Sequence, residues 1–96
     1  MPYALGVLTV KDFASWKAAH DIEDGAAIRK AAGMKAYQIF QCQDEPNKVV
    51  HLSQWDSMDA ARKFLQSDEL KKANEQSGVT GMESVHFIEE VDRNSV

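Results

Sequence analysis

Apolar positions along the chain fall into four short runs separated by two stretches of helical spacing. Residues 3–10, YALGVLTV, are apolar and rich in β-branched side chains, bounded by Pro2 and Lys11-Asp12, and they predict a strand. Phe13, Trp16 and His20 then recur at i, i+3 and i+7, with Ala19 on the same stripe, so a helix follows. Asp12 suits its N-cap, because the carboxylate can accept a first-turn backbone N–H. Gly25 interrupts the stripe, Ala26 to Ala32 predict a further helical piece, and Gly33 supplies its terminating position.

Residues 34–43, MKAYQIFQCQ, and 48–55, KVVHLSQW, read as two strands. The linker Asp44-Glu45-Pro46-Asn47 has turn chemistry, so the pair makes an antiparallel hairpin. Alternation puts Val49, His51, Ser53 and Trp55 on one face of the second of these strands, and Val50 and Leu52 on the other. In the first, Met34, Ala36, Gln38, Phe40 and Cys42 oppose Tyr37 and Ile39. Neither face is purely polar, which implies a sheet covered on both sides.

A second helix is expected from Asp56 or Ser57, with Ala61, Phe64 and Leu65 as its apolar stripe. Ser67-Asp68-Glu69 marks a break and restart, after which Leu70, Ala73 and Asn74 face inward until Gly78. Residues 82–91, MESVHFIEEV, read as the last strand, and 92–96 as a loose tail. The order β-α-β-β-α-β predicts an α+β, ferredoxin-like fold. One domain over 1–96 is expected, with an antiparallel four-stranded sheet and both helices on one face.

Composition narrows the chemistry. Eleven basic and 15 acidic residues give a net charge of −4, and no basic run offsets it, so neither nucleic acid nor an anionic membrane is an expected partner. A single cysteine, Cys42, cannot form an internal disulfide. The N-terminal run is too short and lacks the basic flank of a signal peptide, and no stretch approaches a membrane span. The expectation is a cytoplasmic protein. The three histidines lack the spacing of a metal site, and no phosphate loop or nucleophile elbow occurs.

Several features together resemble the antibiotic biosynthesis monooxygenase (ABM)-like group of the dimeric α/β-barrel superfamily. They are Asp12-Phe13-x-x-Trp16, Trp55-Asp56-Ser57, Ala60-Ala61-x-x-Phe64 with Ser67, and Gly78-Val79 before the last strand. The resemblance spans nearly the whole chain and implies a homodimer whose two sheets meet as a barrel. It implies cofactor-independent oxygenation, or cyclisation, of an aromatic or polyketide-like substrate in a cavity between helices and sheet. On that precedent His20 is the proton acceptor, Asn74 donates a hydrogen bond to the developing anion, and Trp16 and Phe64 are walls. The heme-degrading branch of the superfamily is a poor match. Its Asn, Trp and heme-ligating His correspond to Gly6, Phe64 and Asn74 here, and an amide is a poor iron ligand beside imidazole.

The residues carry bland readings too. His20 can be a core-edge histidine satisfied by a backbone carbonyl or by Asp24. His51 and Ser53, sharing a strand face with Trp55, suit a cavity or a dimer interface equally. His86 is expected at an interface or in solvent, and Cys42 at a strand edge. A non-catalytic ligand-binding or accessory homodimer therefore stands as the alternative to an enzyme; a closed core of only a few tens of Å³ would argue against both, since small-molecule sites usually run to about 300 Å³ or more. The dimer has an argument of its own. The face away from the helices is expected to carry Tyr37, Ile39, Val49 or Val50, Leu5, Val7, Val85 and Phe87, more apolar surface than monomers leave in water.

Overall fold

A computed structural model describes residues 2–21 and 23–96, with side chains at all of these except 23–26. The elements run β1 (Pro2–Val10), α1 (Phe13–His20), α2 (Glu23–Ala31), β2 (Met34–Gln41), β3 (Lys48–Trp55), α3 (Met58–Leu65), α4 (Asp68–Ser77) and β4 (Val79–Glu89). This is the α+β, ferredoxin-like arrangement, each helical crossover being split in two. Gly25 lies within α2, so the first break precedes it.

Local chemistry explains the breaks. Asp12, Ser57 and Ser67 cap α1, α3 and α4, each side chain accepting a backbone N–H, from Ser15, Ala60 and Leu70 respectively. The Ser67 hydroxyl also donates to the Phe64 carbonyl at 2.6 Å, so one residue closes α3 and opens α4. Gly78, at φ 86°, ends α4 in the left-handed conformation and feeds β4 directly. That is why β4 begins at Val79 rather than at Met82. Asn47 ties the β2–β3 turn to the start of α1: its carbonyl oxygen accepts the Phe13 N–H at 3.0 Å, and its own backbone oxygen accepts the Val10 N–H at 2.8 Å.

The sheet is antiparallel, in the order β2-β3-β1-β4. Ala4, Gly6 and Leu8 of β1 oppose Ser53, His51 and Val49 of β3, and this face meets the helices. It holds two buried clusters. One gathers Ala4, Met34, Trp55 and Ala61, and the other Leu8, Val10, Trp16 and Val49. Each tryptophan removes about 150–250 Å² from water, about 4–6 kcal/mol gross.

Two strands depart from simple alternation. An irregularity between Met34 and Ala36 lets Met34 and then Tyr37 and Ile39 all face the helices, opposite Trp55, Ser53 and His51. In β4 two bulges set aside Thr80 and Glu83, and Val79, Met82, Val85 and Phe87 turn to the helix side. Tyr37, Ile39, Val85 and Phe87 are thus absent from the open face, contrary to expectation, and of Val49 and Val50 it is Val50 that lies there. That face carries Leu5, Val7, Phe40, Val50, Leu52 and Ile88, with His86 beside them. Among the described residues no helix is long and apolar enough to cross a membrane.

Candidate functional site

A cavity of about 180 Å³ lies between the two buried clusters. Gly6, opposite His51 in the sheet, leaves its floor open, because no side chain stands there. Trp16 and His20 enter from α1, Phe64 from α3, Asn74 from α4, and His51, Ser53 and Trp55 from β3. The six residues singled out in the sequence (His20, Asn74, Trp16, Phe64, His51 and Trp55) all line it. His51 and Ser53 therefore belong to the cavity side and not to the open face. Cys42 is half-buried and His86 exposed, both away from the cavity.

Trp55 is fully buried, and its indole N–H donates to the Ser53 hydroxyl at 2.7 Å. Ser53 in turn donates to the Ala4 carbonyl at 3.3 Å. Both groups are thereby satisfied, so they act as rigid wall and have no free proton to exchange.

The chemistry gathers instead around His20. Its ring stands 5.1 Å from Trp16, 5.1 Å from Tyr37 and 5.2 Å from His51, and Tyr37 stacks on His51 at 5.4 Å. Among the described residues His20 Nδ1 is buried without a hydrogen-bond partner, and an Asp21 carboxylate oxygen stands 3.7 Å away. Asp24 lies among the residues whose side chains are not described. Burial, reinforced by the Arg29 cation, pushes His20 down to about 4. Burial does the same to His51, also down to about 4, with His20 and Arg29 adding to it. At neutral pH both rings are uncharged, and each offers one lone-pair nitrogen.

Two members of this cluster, Arg29 and Tyr37, escape sequence reasoning. Arg29 sits in a polar stretch of α2, where nothing in the pattern distinguishes it from Lys30. Its guanidinium lies over the Tyr37 ring at 5.2 Å and donates through Nη2 to the His20 carbonyl at 3.0 Å. Tyr37 joins the cavity side only through the β2 irregularity. Among the described residues no cluster of three or more His, Cys, Asp or Glu side chains could hold a metal ion.

The family model described as antibiotic biosynthesis monooxygenase matches residues 14–76. Among solved structures, a protein from Bordetella bronchiseptica assigned to the antibiotic biosynthesis monooxygenases superposes with a TM-score of 0.75 at 14% identity, covering 94% of this chain and 96% of the other. One from Deinococcus radiodurans, of the same assignment, gives 0.70 at 17% identity, covering 100% and 98%. SnoaB, a cofactor-independent oxygenase from Streptomyces nogalater, gives 0.67 at 15% identity, covering 96% and 94%. At these identities the superpositions establish the fold alone. No curated protein matches the chain in sequence.

Proposed function

The chain belongs to the antibiotic biosynthesis monooxygenase family, and on that premise we propose that it oxygenates a small electron-rich aromatic, without a cofactor, inside the helix–sheet cavity. The observation carrying this reading is the pair of neutral imidazoles facing an apolar cavity of ring size. An apolar cavity of about 150 Å³ already accommodates benzene, so 180 Å³ suits one ring. The structural likeness to a cofactor-independent oxygenase supports the same class of chemistry.

In this reading the substrate ring packs among Trp16, Phe64 and Trp55. His20, whose Nδ1 is unpartnered, takes a proton from the acidic C–H or O–H of the substrate. Asn74 donates to the resulting enolate-like oxygen, and His51 buttresses the imidazole that has become charged. The electron-rich anion then reduces dioxygen directly. Conversion of a ring CH₂ to C=O consumes one O₂ and releases one water, so no external reductant is required.

Oxygen uptake with a panel of one- and two-ring polyphenols, measured against buffer alone, tests the proposal. One O₂ per ring oxidised is expected, with a loss of about 10²-fold or more in His20→Gln, the scale of general-base contributions. Uptake no faster than buffer for every member of the panel would overturn it. The alternative, a non-catalytic ligand-binding dimer, draws support from the same low basicity of His20. Binding without uptake would establish it.

The homodimer belongs to the proposal as well. One copy exposes 6596 Å², against about 5,500 Å² for a folded chain of its mass. The excess, about 1,100 Å², is close to the roughly 800 Å² each partner contributes to a standard interface. Phe40, 48% exposed, and Ile88, 38% exposed, lie on the open face of the sheet. A two-fold copy presenting the same face would cover them.

A further inference from the structure

Among the described residues, two buried side-chain polar atoms lack a hydrogen-bond partner: His20 Nδ1 and Arg29 Nε. Buried polar groups in folded proteins are nearly always paired, so two such atoms on neighbouring side chains call for an explanation. Both residues line the cavity, and the Arg29 Nη2 bond to the His20 carbonyl holds them side by side. The guanidinium keeps its charge at any working pH, so its Nε–H is a permanent donor awaiting an acceptor.

Outside this point the cavity meets a shallow groove lined by Arg29, Lys30, Met34, Lys35, Ala36 and Tyr37. Arg29 and Met34 belong to both spaces and mark where they join. Lys35 is paired with Asp56 at 3.0 Å. Among the described residues its charged lining is Arg29, Lys30 and Lys35, the last of these offset by Asp56, in a chain whose net charge is −4. A local positive field at a cavity mouth raises the concentration of anions there.

We propose that the natural ligand is an aromatic acid: its ring occupies the apolar cavity, and its carboxylate sits at the mouth, accepting from Arg29 Nε–H beside His20. The inference deepens the function proposed above by naming a substrate class, and it rests on that same cavity being the ligand site. Arg29 is then a specificity-determining residue. Its stacking on Tyr37 and its bond to the His20 carbonyl fix the guanidinium before the ligand arrives, so little ordering remains to oppose binding.

The test needs no turnover. Benzoate, its neutral isostere benzamide, and acetate are titrated into the intact protein and followed by amide and indole chemical shifts. Benzoate is expected to bind about 10- to 100-fold more tightly than benzamide, the range of one charge-assisted hydrogen bond. It should also shift the Trp16 and Trp55 indole signals, and acetate should not. Arg29→Met should erase the benzoate preference, the affinities for benzoate and benzamide becoming equal. The ligand pair alone decides the matter should that variant fold poorly. Equal affinity for acid and amide, equal binding of acetate, shifts confined to Lys30 and Lys35, or no binding by any of the three would overturn the inference. The two readings fail separately. Arg29-dependent benzoate binding without oxygen uptake on any aromatic acid sinks the oxygenase, whereas rapid uptake on neutral phenols, indifferent to Arg29→Met, sinks the aromatic acid.

Discussion

Burying two uncharged histidines makes stability depend on pH in a calculable way. His51 has an ordinary value of 6.5 once the chain unfolds and about 4 when folded, chiefly because burial disfavours its charged form. A folded-state value below the unfolded one means that the unfolded chain binds more protons as the pH falls. The stabilisation is therefore complete above about 6.5 and is lost progressively down to about 4. At pH 5 the unfolded ring is almost wholly protonated and the folded one only about one-tenth so, and the linkage relation gives a loss of about 2 kcal/mol. His20 acts in the same direction. The two rings face each other at 5.2 Å, so their losses are coupled and add to less than twice this figure. Asp12 is lowered by its bond from the Ser15 N–H and Asp21 by Lys17, so both remain ionised at pH 5. Urea denaturation at pH 7.5 and pH 5.0, at one fixed protein concentration, measures the loss in the parent and in His51→Gln. The variant should lose about 2 kcal/mol less than the parent. An identical loss in both proteins would show that His51 is not the buried neutral group described.

Other substitutions read different parts of the structure. Trp55→Phe removes the indole bond to the Ser53 hydroxyl and should cost about 1–3 kcal/mol in denaturant titrations; a cost near zero would mean that the bond contributes nothing. Gly33 stands at φ 106°, and an added Cβ would come within 3.3 Å of the Ala60 Cβ, so Gly33→Ala should destabilise by more than about 1 kcal/mol. A Cβ on Gly6, by contrast, meets only Met82 Sδ at 3.8 Å. Gly6→Val should fold as the parent does and lose aromatic binding by filling the cavity floor, as calorimetry would reveal. Sedimentation equilibrium at micromolar concentration should return a dimer, and Leu52→Glu, charging the open face, should return a monomer; a parent that stays monomeric would refute the covered face.

What could be read from the chain and what could not divide along physical lines. Strand and helix order was legible because Asp12, Ser57, Ser67 and Gly78 punctuate it with side chains whose capping chemistry is local. The stripe Phe13–Trp16–His20 and the alternation in β3 brought Trp16, His20, His51 and Trp55 to one cavity, and the inward stripes of the second crossover added Phe64 and Asn74. Strand faces were not legible wherever the ladder slips. One irregularity after Met34 puts Tyr37 and Ile39 on the same face as Met34, and two bulges in β4 bring Met82 to the side of Val79, Val85 and Phe87, since a shift of one residue exchanges the two faces of a strand. The open face kept its apolar character with different members, Phe40 and Ile88 replacing Ile39 and Phe87. Arg29 was invisible for another reason. It acts through tertiary contacts with Tyr37 and the His20 carbonyl, which no periodicity within α2 encodes.

The central claim is that an aromatic substrate reacts between helices and sheet, beside His20 and His51. A crystal structure of the protein with the aromatic that supports oxygen uptake, soaked without oxygen, tests this most directly. The account predicts the ring among Trp16, Phe64 and Trp55, with an oxygen within hydrogen-bond distance of His20 Nδ1. A ring bound on the open face of the sheet, or in the groove beyond Arg29 with the cavity unfilled, would contradict it.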